Sequence, residues 1–445
     1  MRQGKEPRPT TGQHPGMPPD FVPPPSPTKM EDVCEAAILA PVRMDGTVLT
    51  ISEQACGGTV DGNNISGMTI LATRDNESCV YARDGALLNI KNSTLNKTDG
   101  AAVPVSSDSP GPMLRGLNSL VLANGEGTKI FVKDCKIISE HEFINDESLK
   151  SSHGAFSVFK GETYLKDVLI RLNGSFAHGV YDTLFGKIYL DGCEVETSGE
   201  CASALATDNP GGDIFATDCV VHTHGPASAG IYCDGGSCVD FTRGHLEADI
   251  DAGAIVCNDG KVRITDATVK GAYAARMWQP VTQPAKMEFV HCNLIATEHS
   301  AFVFDGGNGT AIFDDCTISA KDDKCLIISR RCYNNYDAIG NGHVILRNSN
   351  LTGSLGAADD CSMNVVMENS TVHGQVYRAD MKIAYDSKFV FTGDCIAGKL
   401  MPETLSCLES TGSYTIQYNP KGSTISGMIT IKVGATLVPI ADLKN

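Results

Sequence analysis

A short phrase, Asp-Cys-x-apolar or a close variant, returns about every 24 residues along this chain. Asp134-Cys135-Lys136-Ile137, Asp191-Gly192-Cys193-Glu194-Val195, Asp218-Cys219-Val220-Val221 and Asp315-Cys316-Thr317-Ile318 are copies. Asn348-Ser349-Asn350-Leu351 and Asn369-Ser370-Thr371-Val372 carry Ser in place of Cys. The anchors Val168, Cys193, Cys219, Gly244, Ala267, Cys292 and Cys316 are separated by 25, 26, 25, 23, 25 and 24 residues. A fixed period of this length is the signature of a stacked repeat, because one such unit cannot bury its own apolar face.

Each period holds three short β-type runs divided by Gly, Asp or Asn. One reads Ala155-Phe156-Ser157-Val158-Phe159, then Glu162-Thr163-Tyr164-Leu165, then the anchor phrase. No stretch sustains a 3.6-residue apolar period with helix caps. The expectation is an all-β chain: a right-handed parallel β-helix with three short strands per rung and about 24 residues per rung, neighbouring rungs lying about 4.8 Å apart. The predicted division is a Pro-rich arm over 1–29, the β-helix over 30–400 and a C-terminal β cap or covering segment over 401–445. The arm holds nine prolines and no apolar block, a composition suited to an extended, flexible segment.

The phrases Gly116-Leu117-Asn118-Ser119-Leu120-Val121-Leu122-Ala123, Ala202-Ser203-Ala204-Leu205-Ala206-Thr207-Asp208 and Ser228-Ala229-Gly230-Ile231-Tyr232 resemble the right-handed parallel β-helix, or pectin-lyase-like, superfamily. They are close to its adhesin-like repeat proteins of anaerobic bacteria. The resemblance covers roughly residues 50–400 and implies the fold. It leaves function open, since that superfamily holds lyases, hydrolases, epimerases and inert surface proteins.

A net charge of −17 argues against a nucleic-acid backbone or an anionic membrane as partner. No apolar run reaches the length of a membrane-spanning helix, and the N-terminus lacks the apolar core of a secretory leader. Seventeen cysteines with no Cys-x₂-Cys pair read mainly as reduced, buried ladder residues. Cys233 and Cys238, flanking a turn, are the best local disulfide candidates. These features fit a cytoplasmic protein of a reducing or anaerobic setting, or a secreted one whose signal peptide has been removed.

Alternation along the third run places the second residue after each anchor inward and the first, third and fifth outward. His222 then lies between Glu196 and Glu247 on neighbouring rungs, with His224 beside Asp249 and His245 close by. Imidazoles among carboxylates can form a general acid/base pair or hold a divalent metal ion. Opposite charges that simply pair across rungs are the bland alternative.

The first run poses a different question. If its small residues point inward, then Val180, Leu205, Ile231, Phe302 and Phe304 form an outward apolar stripe. Such a stripe predicts a cover, most simply a second copy of the chain in a homo-oligomer. Asp182, Asp208, Asp234 and Asp305 fall near one strand end of this stripe. Arg276 and Trp278 share a rung. Arg330, Tyr333 and Tyr336 lie at a longer insertion, with Tyr377 and Arg378 beyond it. Trp278, Phe302, Phe304, Tyr333, Tyr336 and Arg378 are the predicted contacts to a small molecule or glycan.

The aspartates read either as turn residues or as oxygen ligands for Ca²⁺. In the second case the chain is similar to β-helix pectate lyases, with Asp182, Asp208 and Asp234 as carboxylates and Arg276 or Arg330 as base. Two function classes follow. One is an acid/base enzyme of lyase or isomerase type using Asp182, Asp208, Arg276, Arg330 and Tyr377, or His222 and His224. Its metal ligands, where a metal is used, would come from Glu196, Glu247, Asp249 and Asp234. The other is a non-catalytic, adhesin-like solenoid. A hydrolase is a third option if two carboxylates fall within glycosidase range.

Overall fold

The computed structural model describes residues 49–440, apart from 53, 104–114, 141–148, 209–210, 279–283, 322–324 and 333–337. The Pro-rich arm, Tyr333 and Tyr336 lie outside the described residues. Among the described residues the chain is all-β, with only 3-10 turns such as Leu405–Cys407.

Strands of successive periods lie side by side and parallel. One sheet takes the first run of each period. Ala155–Val158 pairs with Val121–Asn124 on one side and Val180–Asp182 on the other, and the series continues through Leu205–Thr207, Ile231–Cys233 and Ala252–Val256. A second sheet takes the other two runs: Glu162–Lys166 pairs with Lys187–Asp191, and Leu169–Leu172 with Glu194–Thr197. In mid-chain these two runs join into single 11-residue strands, Asp213–Thr223, Cys238–Ala248 and Lys261–Gly271. Further on, the third run separates into a four-stranded sheet of its own, Asn350–Thr352, Thr371–Gly374, Lys388–Phe391 and Leu408–Ser410. Parallel stacking persists beyond residue 400, since Thr415–Tyr418 pairs with Thr436–Pro439. Antiparallel pairs occur at the two ends, Gln54–Asp61 with Asn64–Ala72 and Ile429–Thr430 against Thr436–Pro439.

The recurring phrase has a local cause. The residue before each anchor adopts a left-handed conformation: φ is 52° at Asp134, 53° at Asp167, 54° at Asp218, 51° at Asp315 and 49° at Asn348. Asp, Asn and Gly tolerate this region best among the amino acids, so they dominate the position. Where the anchor is Cys or Ser, its side chain donates to the carbonyl two residues earlier. Cys135 Sγ reaches Lys133 O at 3.0 Å and Cys219 Sγ reaches Thr217 O at 3.2 Å. Ser349 and Ser370 hydroxyls make the same bond, at 2.7 and 2.8 Å. Cys and Ser alternate at the anchor because each is small, buried and able to donate there. All described cysteines are free thiols, Cys233 and Cys238 included.

The core lies between the sheets. Ile170, Val195, Val221, Leu246, Val269 and Leu294 are in register on consecutive strands and fully buried. These are the second residues after their anchors, as alternation requires.

The phase assigned to the first run needs correction. Ala155 pairs with Val180, not Gly179. The inward ladder is therefore Ala155, Val180, Leu205, Ile231, Ala254, Ala275 and Phe302. A one-residue slip turns every side chain to the other face, so the expected outward stripe is largely the core itself. Leu122, Phe156, Tyr181 and Tyr232 face the other way, and the first three are buried in a second apolar cluster of the same chain. The apolar residues that argued for a homo-oligomer through this face are covered from within.

Candidate functional site

Three neighbouring strands build the histidine patch. Glu196 pairs with His222, and His222 with Glu247. Asp249 lies just past the strand end at Ala248 and engages both imidazoles. Its Oδ1 is 2.8 Å from His222 Nε2 and its Oδ2 is 2.7 Å from His224 Nδ1. Glu196 Oε1 closes on His224 Nε2 at 3.2 Å, and Arg171 Nε lies 3.1 Å from Glu196 Oε2. The two rings tilt at 47° with centroids 4.0 Å apart. One ligand atom from each of His222, His224 and Asp249 falls within 4.8 Å of the others. Each of these side chains is about one-third to less than one-half exposed, so solvent and a ligand can reach them.

Burial would raise the Asp249 carboxyl, but hydrogen bonds from His222 and His224 outweigh it and hold it below its ordinary value. Glu247 belongs to a separate pairing. It accepts from His245 Nε2 at 2.9 Å and Lys270 Nζ at 2.5 Å, and those bonds hold it below the usual carboxylate range.

The other predicted residues do not form one groove. Asp182 points into the core, aligned with Ser157 and Thr207, with no side-chain hydrogen-bond partner among the described residues; only backbone groups, its own and that of Asp213, come near its carboxylate. Burial, followed by the nearby Asp213 charge, pushes its carboxyl well up. Asp208 and Asp234 lie on the opposite side of that strand end, where they accept from Tyr181 and Tyr232 hydroxyls, each at 3.2 Å. Asn258 also donates to Asp234 at 2.9 Å. Asp182 thus faces away from Asp208 and Asp234, and the three do not make the expected Ca²⁺ set.

Arg276 and Arg330 do meet, on Asp305. Arg276 donates from Nη2 at 2.6 Å and Arg330 from Nε at 2.9 Å. Arg330 also donates to the Tyr273 hydroxyl at 3.0 Å, and Asp251 lies 3.5 Å from Arg276. Burial would lower both guanidinium values, but Asp305 more than reverses it, and both stay above the usual range. Each is therefore held as a cation beside Asp305. Tyr273 and Asp251 were not anticipated; their signal was that Tyr273 stands three residues before Arg276 and Asp251 one period, 25 residues, earlier.

Trp278, Phe302 and Phe304 are 1%, 0% and 0% exposed and cannot stack on a ligand without repacking. Tyr377 is exposed and donates to Gln375 Oε1 at 2.9 Å, while Arg378 pairs with Asp359 at 3.0 Å. A groove of about 610 Å³ lined by Ser319, Leu326, Thr352 and Gln375 contains none of the predicted residues. Among the described residues no helix is long and apolar enough to cross a membrane.

The chain matches no protein-family model, and no curated protein is significantly similar to it.

Proposed function

We propose that this chain is a right-handed parallel β-helix of the pectin-lyase-like kind, three runs per rung, and an acid/base enzyme of lyase or isomerase type. Its substrate is a glycan or small cyclic molecule laid across the outer face at His222 and His224. The observation that carries the reading is the sharing of one carboxylate, Asp249, by two solvent-reachable imidazoles. Asp249 accepting from His222 Nε2–H leaves Nδ1, which has no other hydrogen bond among the described residues, to exchange a proton with the substrate. His224 faces carboxylates at both nitrogens, which fix it beside His222 as the second ring of the pair.

The test is turnover of a panel of neutral and acidic glycans and cyclic sugars. Elimination is read as the ultraviolet absorbance of a new conjugated double bond, and isomerisation by nuclear magnetic resonance. His222→Ala with His224→Ala should cut the rate at least about 100-fold. Turnover untouched by the double substitution, or none across the panel, overturns the reading.

A second reading, a non-catalytic adhesin-like solenoid, draws support from the lateral face. There Asp182, Phe302 and Phe304 are sealed in the core and both arginines are committed to Asp305.

A further inference from the structure

The histidine patch has a property that does not depend on catalysis. His222 lies near the end of the strand Asp213–Thr223 and His224 follows that strand directly, and the two rings sit side by side with centroids 4.0 Å apart. Asp249 arrives between them from the next strand, and Glu196 from the previous one. We propose that His222, His224 and Asp249 form a binding site for one divalent transition-metal ion of the Zn²⁺ class, with water completing the coordination.

The chemistry selects the ion. Two imidazole nitrogens and one or two carboxylate oxygens suit Zn²⁺, Co²⁺ or Ni²⁺. Ca²⁺ asks for six to eight oxygen ligands, which this cluster does not offer. Tetrahedral Zn²⁺ with bonds of about 2.0–2.1 Å places its ligand atoms roughly 3.3 Å apart. The nitrogens and the Asp249 oxygens they touch are 2.7 and 2.8 Å apart, so modest side-chain rotation opens the space. His222 lies on a strand paired with the one that ends next to Asp249, so backbone pairing holds these groups close before the ion arrives.

Coordination must displace the N–H protons that the two imidazoles now point at Asp249, so binding competes with protons and weakens as pH falls. The site would coordinate the same two rings that the acid/base reading uses. Metal binding is measured without substrate, so either idea can fail alone.

The experiment is titration of the purified full-length chain, kept reduced, with Co²⁺ followed by visible absorption and with Zn²⁺ followed by calorimetry in two buffers of different ionisation heat. The expected result is one equivalent bound, proton release, and a Co²⁺ spectrum without the intense near-ultraviolet band of thiolate ligation. His224→Ala and Asp249→Asn should each weaken binding at least about tenfold, since loss of even an outer partner costs a metal site about 10–100-fold. His291→Ala, a histidine on the same sheet outside the cluster, should leave binding unchanged. No saturable binding, a thiolate spectrum, or binding that survives both His224→Ala and Asp249→Asn overturns the proposal. Circular dichroism of each variant separates lost ligands from lost folding.

Discussion

His153 and His178 stack ring on ring, 5.3 Å between centroids and 4° from parallel, with His153 Nδ1 accepting the His178 backbone N–H at 3.2 Å. Both are buried against Tyr181, and they stand one rung apart at 25 residues. Burial lowers His178 to about 4 and holds His153 well below its ordinary value, with His178 adding to the effect on His153. In the unfolded chain both protonate near 6.5.

The sign follows from linkage. Below pH 6.5 the unfolded chain binds protons that the folded chain refuses, so stability is complete above 6.5 and declines as pH falls toward 4. For His178 the loss is roughly 3 kcal/mol across that window. Denaturant unfolding at intervals from pH 7.5 to 4.5 checks it, and His178→Gln should flatten the slope between pH 6.5 and 5. An unchanged slope in that variant would assign the acid sensitivity elsewhere.

Asp182 gives the opposite sign. Its folded carboxyl is held well above 3.8, so stability is greatest below the unfolded value and is lost as pH rises. Its neighbours along the ladder are Ser157 and Thr207. Asp182→Thr should therefore stabilise the fold at pH 7 by about 1–3 kcal/mol, the penalty of a buried polar group without a side-chain partner. A destabilised variant in chemical denaturation would mean the carboxyl has an internal partner.

The Asp305 network should be unforgiving. Its carboxylate is 5% exposed and neutralises Arg276 and Arg330. Asp305→Ala should cost about 3–5 kcal/mol by leaving Arg276 charged in a buried position. A variant that melts like the parent would show that the arginines relax to solvent.

His291 occupies the left-handed position at φ 51°, where most rungs use Asp, Asn or Gly. Its contact to Asp266, at 3.0 Å, is exposed and weak. His291→Asn should stabilise the fold by at most about 1–2 kcal/mol of relieved backbone strain, read as a rise in melting temperature. A fall would assign His291 a role beyond the turn.

Much of the histidine patch was legible in advance. Once periods of nearly equal length pair as parallel strands, residues one period apart become neighbours, and alternation fixes their face. Glu196, His222 and Glu247 align for that reason alone. The choice of partners was not legible. Glu247 turns to His245 and Lys270, and Asp249 reaches both imidazoles, because side-chain rotation within a column depends on every charge in it.

The sequence by itself determined the period, the left-handed kink before each anchor, the small donor side chain at the anchor and the two faces of the third run. Each is local: backbone sterics at one residue, or alternation against an exposed polar face. Only the tertiary structure decided the phase of the first run. Its sheet is covered on both sides along much of its length, so apolar residues occur at inward and outward positions alike and alternation carries no sign. The pairing of Ala155 with Val180 set that sign, and with it the burial of Asp182, Phe302 and Phe304.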